Sequence, residues 1–278
     1  MNRYSVFYHH VCQAAREKGC TVDAMLDTIR QWGIGYVELS RDEIGQEDES
    51  IRQFGKRLQA HGLQPSSIYG VYGWDHTPVL PTGDDLLLRQ AQMLGSERVM
   101  LIPGFLSGQD EGELPRMKAA VCRMAELADA QGLTATIECY DDARSPIATI
   151  AGMEDFLAAA PKLYVTLETG NFIFSGDDIL QAQQRFAGRI RHVHLKDRFL
   201  PERSPDVPPT GEPKTAVNGQ VMYPCPVGHG HIPMIQVLDG LDRSGYQGVM
   251  TIEHFGAASY WKSIEESITW LKERECQQ

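Results

Sequence analysis

Polar side chains end four apolar stretches in the second half of this chain. Three stretches finish as T-x-E, at 136–138, 166–168 and 251–253, and one finishes as "HVH" at 192–194. Side chains alternate between the two faces of a strand, so each final residue lies on the face opposite its apolar neighbour. The four final residues are Glu138, Glu168, His194 and Glu253.

Three carboxylates and one imidazole could bind a divalent cation if their strands lie side by side. Crowded carboxylates repel one another and lose hydration, and a divalent cation relieves both costs. This donor set suits Mn²⁺, Mg²⁺ or Co²⁺ better than a metal that prefers thiolates. A single strand-end glutamate more often caps a helix or pairs with a lysine. Four such residues in consecutive strand-like runs favour one shared site, so the sequence predicts one bound divalent metal ion.

The elements that position these residues alternate along the whole chain. Strand-like runs occupy 3–8, 35–40, 65–71, 97–103, 133–140, 163–168, 190–196 and 248–254. Helix-patterned stretches occupy 21–33, 48–61, 82–95, 112–131, 147–160, 176–187, 231–244 and 258–275. This alternation, without a break in composition, predicts a single-domain α/β protein, a (β/α)₈ TIM barrel over 1–278. A doubly wound open sheet is the alternative, but it would normally carry a Gly-rich loop where this chain has "YHHVCQAA".

In a TIM barrel the four polar residues would meet at the C-terminal mouth, where barrel enzymes hold their chemistry. At these residues the chain resembles the xylose-isomerase-like TIM barrels, a family that includes sugar (phosphate) isomerases and epimerases and the apurinic endonucleases. The resemblance covers nearly the whole chain as strand–helix order. It is most specific in the segments "TIECY", "LETGNF", "HVHLKD", "PVGHGHIP" and "GVMTIEHF".

The resemblance implies roles for individual residues. It implies metal ligands at Glu138, Glu168, His194 and Glu253, with Glu138 and Glu253 also moving protons, as in the epimerase-like members. Two positions depart from the family pattern. Glu168 stands where Asp is typical, with Asn171 in the position of a His, and His229 stands between two glycines where an acid is usual.

The implied function is proton transfer next to the carbonyl of a carbohydrate-like substrate. A metal-dependent sugar or polyol isomerase or epimerase would act through an enediolate stabilised by the cation. The nearest alternative is a lyase or dehydratase that acts on a keto-sugar or keto-inositol through the same intermediate. An apurinic endonuclease is less expected, because that branch uses more His and Asp ligands and a basic face for DNA. A non-catalytic accessory barrel is the remaining alternative.

Further residues near the strand ends are candidates for substrate contact. Lys196 could steady an enolate oxygen, although a structural ion pair explains it equally well. Aromatic residues near strand ends, Tyr72 and Tyr140 among them, could cover the apolar face of a sugar, although most aromatics in a barrel are core. The candidates for substrate binding are Lys196, Asn171, His229, Tyr8, Tyr69, Trp74, Phe105 and Arg198.

Three histidines and one long segment need separate interpretations. His192 lies one pleat deeper than His194 and is expected to pack or to orient the metal ligands. His9 and His10 could reach the mouth from the first strand, or be ordinary loop histidines. The Pro-rich segment at about 199–230 is predicted to be a long loop at the catalytic face. It would cover the substrate, in which case His229 could enter the site, or it would contact another subunit.

Composition and net charge indicate which classes of binding partner are expected for this chain. The chain has 278 residues, 42% hydrophobic and 23% charged, with a formal net charge of −11. An acidic chain argues against nucleic acid as a partner, because phosphate binding needs clustered Lys and Arg. Six cysteines without paired or metal-type spacing, no signal-like start and no long apolar run predict a cytoplasmic protein that uses no membrane. A homo-oligomer is compatible with all of this.

Overall fold

The structure is a computed structural model that describes residues 3–76 and 79–276. Its strands are β1 Tyr4–Phe7, β2 Tyr36–Ser40, β3 Gln64–Val71, β4 Arg98–Ile102, β5 Thr134–Ile137, β6 Leu163–Glu168, β7 Ile190–Leu195, β8 Asp197–Phe199, β9 Lys214–Thr215, β10 Val221–Cys225 and β11 Met250–Ile252. Its helices are α1 Tyr8–Lys18, α2 Val22–Gln31, α3 Arg41–Ile44, α4 Asp48–Ala60, α5 Leu86–Leu94, α6 Glu113–Ala130, α7 Ile150–Ala159, α8 Phe172–Ser175, α9 Ile179–Phe186, α10 Met234–Arg243 and α11 Tyr260–Cys276, with one 3₁₀ turn at Pro201–Arg203.

Eight of these strands close into a parallel barrel in the order β1-β11-β7-β6-β5-β4-β3-β2. The pairing brings the predicted site strands together, because β6 pairs with β7 and β7 pairs with β11. Glu168 lies opposite His194 in this register, and Thr251 lies opposite His194 on the other side. The prediction of a single-domain TIM barrel is confirmed.

The barrel forms because its strands are apolar on the face that meets the helices. Val37, Ile137, Leu167, Val193 and Ile252 are all fully buried in the main hydrophobic core. Side-chain caps stabilise the first turns of several helices. At the start of α9, for example, the Asp178 carboxylate accepts a hydrogen bond from the Gln181 backbone N–H. The opposite face of each strand is therefore free to carry polar side chains into the barrel.

Two regions differ from the sequence-based expectation. No helix was expected before residue 21, but Tyr8–Lys18 form helix α1, which starts directly at the end of β1 without a side-chain cap and ends at Gly19. The expected loop at 199–230 contains regular structure, since β8, β10 and β9 form a three-stranded antiparallel sheet. This small sheet has its own buried cluster, formed by Phe174, Leu200, Ala216 and Met222.

None of the helices in the described part of the chain is long and apolar enough to cross a membrane. All six cysteines lie among the described residues, and each is free.

Candidate active site

A polar pocket opens at the C-terminal ends of the barrel strands. It has a volume of about 410 Å³ and is lined by residues from several strand ends and from the segment 199–230. Glu138, Lys196 and Glu253 lie in its wall. The pocket is therefore at the face where TIM barrels carry their active sites.

Three of the four predicted metal ligands converge on one point. His194 Nδ1 lies 2.7 Å from Glu138 Oε2 and 3.3 Å from Glu253 Oε2. Donor atoms of Glu138, His194 and Glu253 lie within 4.8 Å of one another, which is close enough to hold one metal ion. His194 is fully buried, and the two acids are almost so.

Glu168 lies next to this group but is held differently. It is fully buried, its Oε1 accepts from the Gly170 backbone N–H at 3.0 Å, and the cluster of three donors does not include it. Gly170 is required here because a Cβ would lie 2.8 Å from the Lys196 carbonyl oxygen. The turn after β6 therefore packs tightly against the backbone of Lys196, between β7 and β8, and its Gly170 N–H donates to one oxygen of Glu168.

The fit of this site to a divalent cation can be tested on its buried polar atoms. Glu138 Oε2, Glu168 Oε2 and His194 Nδ1 are buried and make no hydrogen bond of acceptable geometry with the described residues. Buried polar atoms are normally satisfied, so three such atoms in one place indicate a missing partner. Two carboxylate oxygens and an imidazole nitrogen are donors that Mn²⁺ and Mg²⁺ accept. The residues therefore fit the metal that the fold family implies.

The acids of the site have pKa values shifted in different directions. Burial raises the pKa of Glu138, and the neighbouring His194 only partly offsets this. Burial also raises the pKa of Glu168, to about 8, against the charge of Lys196. At Glu253 burial acts the same way, but the charges of Lys196 and His194 outweigh it and hold the pKa well below its ordinary value. Carboxyl groups whose pKa values are pushed apart are typical of acid–base pairs.

The threonine of each T-x-E pattern lies one layer deeper in the barrel. Thr166 donates from its hydroxyl to the Thr136 hydroxyl at 2.8 Å. Thr251 donates from its hydroxyl to Glu38 Oε2 at 2.7 Å. The repeated pattern therefore builds two polar layers inside the barrel, with the acids nearest the mouth.

Four of the predicted substrate contacts line the pocket: Tyr69, Asn171, Lys196 and Arg198. Lys196 Nζ donates to Glu253 Oε1 at 2.7 Å, so its ion pair is with a predicted catalytic acid. Arg198 is buried and donates to Asp141 Oδ2 at 2.6 Å and to Asn171 Oδ1 at 3.3 Å. These side chains form a connected polar wall beside the acids.

The four other candidates for substrate contact lie outside the lining of this pocket. Tyr8 belongs to α1, accepts from Arg57 Nη1 through its hydroxyl and packs on Phe54 in the helical layer. Trp74 is buried against Tyr72, with ring centroids 4.0 Å apart. Phe105 is half-buried and packs edge-on against Tyr140, with Arg144 over its ring, and His229 is exposed.

The glycines around His229 explain why that segment resembles a functional motif. The carboxylate of Asp197 accepts from the backbone N–H groups of Gly228, Gly230 and Ile232 at 2.9, 3.0 and 3.2 Å. A Cβ on Gly230 would clash with this carboxylate and lie 2.7 Å from the Arg198 carbonyl oxygen. The glycines of "GHG" therefore allow the backbone to come close to the Asp197 carboxylate. The side chain of His229, between them, is exposed.

We expect Gly230→Ala to lower the free energy of unfolding by about 1–3 kcal/mol, because the added methyl group overpacks the Asp197 site. The exposed neighbour supplies the control: His229→Ala should change it by less than about 0.5 kcal/mol. Urea denaturation of both variants measures the difference. Equal stability of the two variants would show that the segment tolerates the methyl group and does not need the close contact between Gly230 and Asp197.

The two early histidines have structural partners. His10 is fully buried, and its Nε2 accepts from the His254 backbone N–H at 2.8 Å. His9 lies on α1, with its ring stacked on Phe255 at 5.7 Å between centroids. Neither histidine lines the pocket.

Several residues that contribute to the site were not predicted from the sequence. Glu38 lies inside the barrel below His194, and both His192 and His194 lie within hydrogen-bond distance of its carboxylate. The stretch "YVELS" carried a signal for it, because Val37 and Leu39 face the helices and Glu38 must face the other way. Asp141 and Lys214 also line the pocket, with 3.5 Å between Lys214 Nζ and Asp141 Oδ1.

A closed parallel barrel with a polar pocket at the C-terminal ends of its strands defines a TIM barrel with a candidate active site. A family model described as "Xylose isomerase-like TIM barrel" matches residues 26–274. The chain therefore belongs to the xylose isomerase-like TIM barrel family, as its sequence motifs predicted.

Similar proteins include dehydratases and epimerases. An inosose dehydratase of Geobacillus thermodenitrificans is 34% identical over 92 residues, 33% of this chain and 30% of the relative. One of Bacillus thuringiensis is 28% identical over 148 residues, 51% of this chain and 47% of the relative. The matches thus span less than half the length of these curated relatives. A crystal structure of D-psicose 3-epimerase from Clostridium cellulolyticum H10 with D-tagatose has a TM-score of 0.70 at 16% identity, covering 99% of this chain and 98% of the epimerase, which shows a shared fold.

Proposed function

We propose that this chain is a divalent-metal-dependent enzyme that moves a proton beside the carbonyl group of a carbohydrate-like substrate, a keto-sugar or a keto-polyol. The observation that carries the proposal is the pair of carboxylates in one pocket. Glu138 and Glu253 each place an oxygen within 3.3 Å of the same atom, His194 Nδ1. Sequence similarity to inosose dehydratases supports the substrate class.

The proposed metal ligands are Glu138, Glu168, His194 and Glu253. When bound, the cation would act as a Lewis acid for the carbonyl and an adjacent hydroxyl oxygen of the substrate. Support comes from the three buried donor atoms, Glu138 Oε2, Glu168 Oε2 and His194 Nδ1, for which the described residues provide no hydrogen bond. Mn²⁺, Mg²⁺ and Co²⁺ are all compatible with such a donor set.

Side chains of the pocket would accept and donate the proton that is transferred. Lys196 and His194 lower the pKa of Glu253, which favours its ionised form as the proton acceptor, whereas the pKa of Glu138 is raised, which favours its protonated form. The ammonium group of Lys196, 2.7 Å from Glu253, could donate to an oxygen of the substrate that gains negative charge. Asn171 and Arg198 would orient substrate hydroxyl groups from the same wall.

Two outcomes of this proton removal are proposed. Isomerisation or epimerisation follows if the second carboxylate returns the proton to another carbon or to the other face, and the presence of two acids supports it. Dehydration follows if an adjacent hydroxyl group leaves as water after receiving a proton from a pocket acid. The inosose dehydratases among the sequence relatives support this second outcome.

A substrate panel distinguishes these outcomes. We expect at least one compound among ketoses, keto-inositols and 3-keto-glycosides to be converted in the presence of Mn²⁺ and not after treatment with EDTA. Dehydration would yield a product that has lost one water and absorbs in the ultraviolet as a conjugated carbonyl compound. Epimerisation or isomerisation would yield a product of unchanged mass with a new NMR spectrum.

The same incubations in D₂O provide an internal check, because either outcome begins with loss of a C–H proton. Deuterium should enter unreacted substrate or product at the carbon beside the carbonyl. Elemental analysis should find about one divalent ion per chain after loading. No conversion across the panel, together with no bound metal, would contradict the proposed function.

A further inference from the structure

Glu38 lies at the centre of a hydrogen-bond network inside the barrel, beneath the proposed metal site. It belongs to β2, and its side chain is fully buried together with those of His192 and His194. Its Oε2 lies 2.8 Å from His192 Nε2, 3.0 Å from His194 Nε2 and 2.7 Å from Thr251 Oγ1. Glu38 lies outside the four sequence motifs that end in the predicted metal ligands.

The contacts determine which nitrogen of His194 carries a proton. An ionised carboxylate can only accept hydrogen bonds, so His194 must donate to Glu38 through Nε2–H. The Thr251 hydroxyl donates to the same carboxylate oxygen at 2.7 Å, so Glu38 Oε2 lies among groups that can donate to it. With Nε2 engaged as the donor, the lone pair of a neutral His194 lies on Nδ1, which faces Glu138 and Glu253.

We propose that Glu38 is a positioning residue that holds His194 in the tautomer and ring orientation that present Nδ1 to the divalent cation. This role rests on the proposed function, since it presupposes a metal at the mouth. Carboxylates that accept from a metal-binding histidine fix the ring and raise its basicity, and removing them typically lowers metal affinity about 10–100-fold. In this chain the carboxylate comes from β2, on the opposite side of the barrel from the β5 and β6 acids.

The same atoms allow a competing interpretation. Donor atoms of Glu38, His192 and His194 lie within 4.8 Å of one another, so they could hold a second metal ion. The geometry favours the hydrogen-bond network, because both Glu38–imidazole distances are those of ordinary hydrogen bonds and Thr251 also donates to the carboxylate. A stoichiometric measurement separates the two interpretations.

The test is calorimetric titration of the metal-free protein with Mn²⁺ alone. We expect the parent to bind one ion and Glu38→Gln to bind it about 10–100-fold more weakly, since the amide cannot serve as a charged acceptor for two imidazoles. The matched control is Ser66→Ala, which removes a buried 2.8 Å hydrogen bond to Ser5 in the barrel without touching Glu38 or His194. Its affinity should stay within about threefold of the parent, a spread of less than 1 kcal/mol.

A spectroscopic measurement excludes a merely structural effect. The visible spectrum of the Co²⁺-loaded protein reports the ligand field, so it should change in Glu38→Gln and not in Ser66→Ala. If Glu38→Gln does not fold, Glu38→Asp replaces it, because the shorter arm keeps the charge but retracts from the imidazoles. We then expect Glu38→Asp to weaken Mn²⁺ binding by more than threefold.

Three other results would contradict the proposed role of Glu38, and each would indicate a different alternative. Parent-like Mn²⁺ affinity and an unchanged Co²⁺ spectrum in the Glu38 variant would leave Glu38 as an internal ion pair only. Two ions per parent chain, with one lost in Glu38→Gln, would make Glu38 a ligand of a second metal. A parent chain that binds no divalent ion would overturn the proposed metal site as well, which separates that failure from the failure of Glu38 alone.

Discussion

Replacing Glu138 or Glu253 with Gln is expected to lower turnover at least about 100-fold, the usual scale for loss of a general acid or base. Glutamine keeps the volume of each side chain but can neither accept nor release a proton at neutral pH. Both residues line the pocket and approach the same atom of His194, so either loss should interrupt the proton path. Steady-state assays with the converted substrate measure the effect.

Because both acids are also proposed metal ligands, the assay must separate lost proton transfer from lost metal. Assays at saturating Mn²⁺, with bound metal measured for each variant, make this separation. Glu212→Gln is the matched control, since Glu212 is an exposed acid that lines the same pocket from the segment 199–230. We expect its turnover to fall less than about fivefold, roughly 1 kcal/mol in the barrier. Full activity in both Glu138→Gln and Glu253→Gln would remove these residues from the chemistry.

The deuterium experiment adds information about the order of steps. Wild-type protein in D₂O should introduce deuterium beside the carbonyl, and a variant that has lost the base for the first step should not. If only one of the two variants stops the exchange, that residue removes the proton and the other acts after it. The contact with Lys196 lowers the pKa of Glu253, so Glu253 is the acid that we expect to be free to accept the proton in the first step.

The fold was predictable because its signals are local and repeated. Each barrel strand contains a short apolar run, and each covering helix follows with its own periodicity, so all eight alternations could be recognised. Helix α1 was missed because it begins at Tyr8, directly after β1, and Phe7 has no side chain that could cap it as Thr21 caps α2. The small sheet of β8, β9 and β10 depends on pairings between distant short segments, which periodicity does not reveal.

The site was predictable in part. Parity along the strands placed Glu138, His194 and Glu253 on one face, and the barrel register brought them together. The same parity marks Glu38, but a glutamate within a strand does not stand out until its histidine partners are known. The Gly230 N–H donates to Asp197, 33 residues earlier, and the local "GHG" pattern does not reveal this contact. The pattern therefore suggested a functional side chain at His229, although the contact is made by the backbone of its neighbour.

Glu168→Gln is expected to weaken Mn²⁺ binding by about 100-fold or more, above the usual effect of residues that only support a ligand. Glu168 is fully buried, and its Oε2 makes no hydrogen bond with the described residues, so this oxygen is available to a cation. Glutamine removes the negative charge and keeps the shape. Calorimetric titration with Mn²⁺ measures the affinity, and the melting temperature in EDTA checks that the fold is intact.

Glu168→Asp tests the length of the side chain at the same position. Removal of one methylene retracts the carboxylate by about 1.5 Å, the length of one C–C bond. We expect this variant to keep part of its metal affinity but to lose much of its activity, because displacements near 1 Å can greatly reduce catalysis. Parent-like Mn²⁺ affinity in Glu168→Gln would contradict the assignment. Glu168 would then serve the turn after β6, where its Oε1 accepts from the Gly170 N–H, and the metal would rely on Glu138, His194 and Glu253.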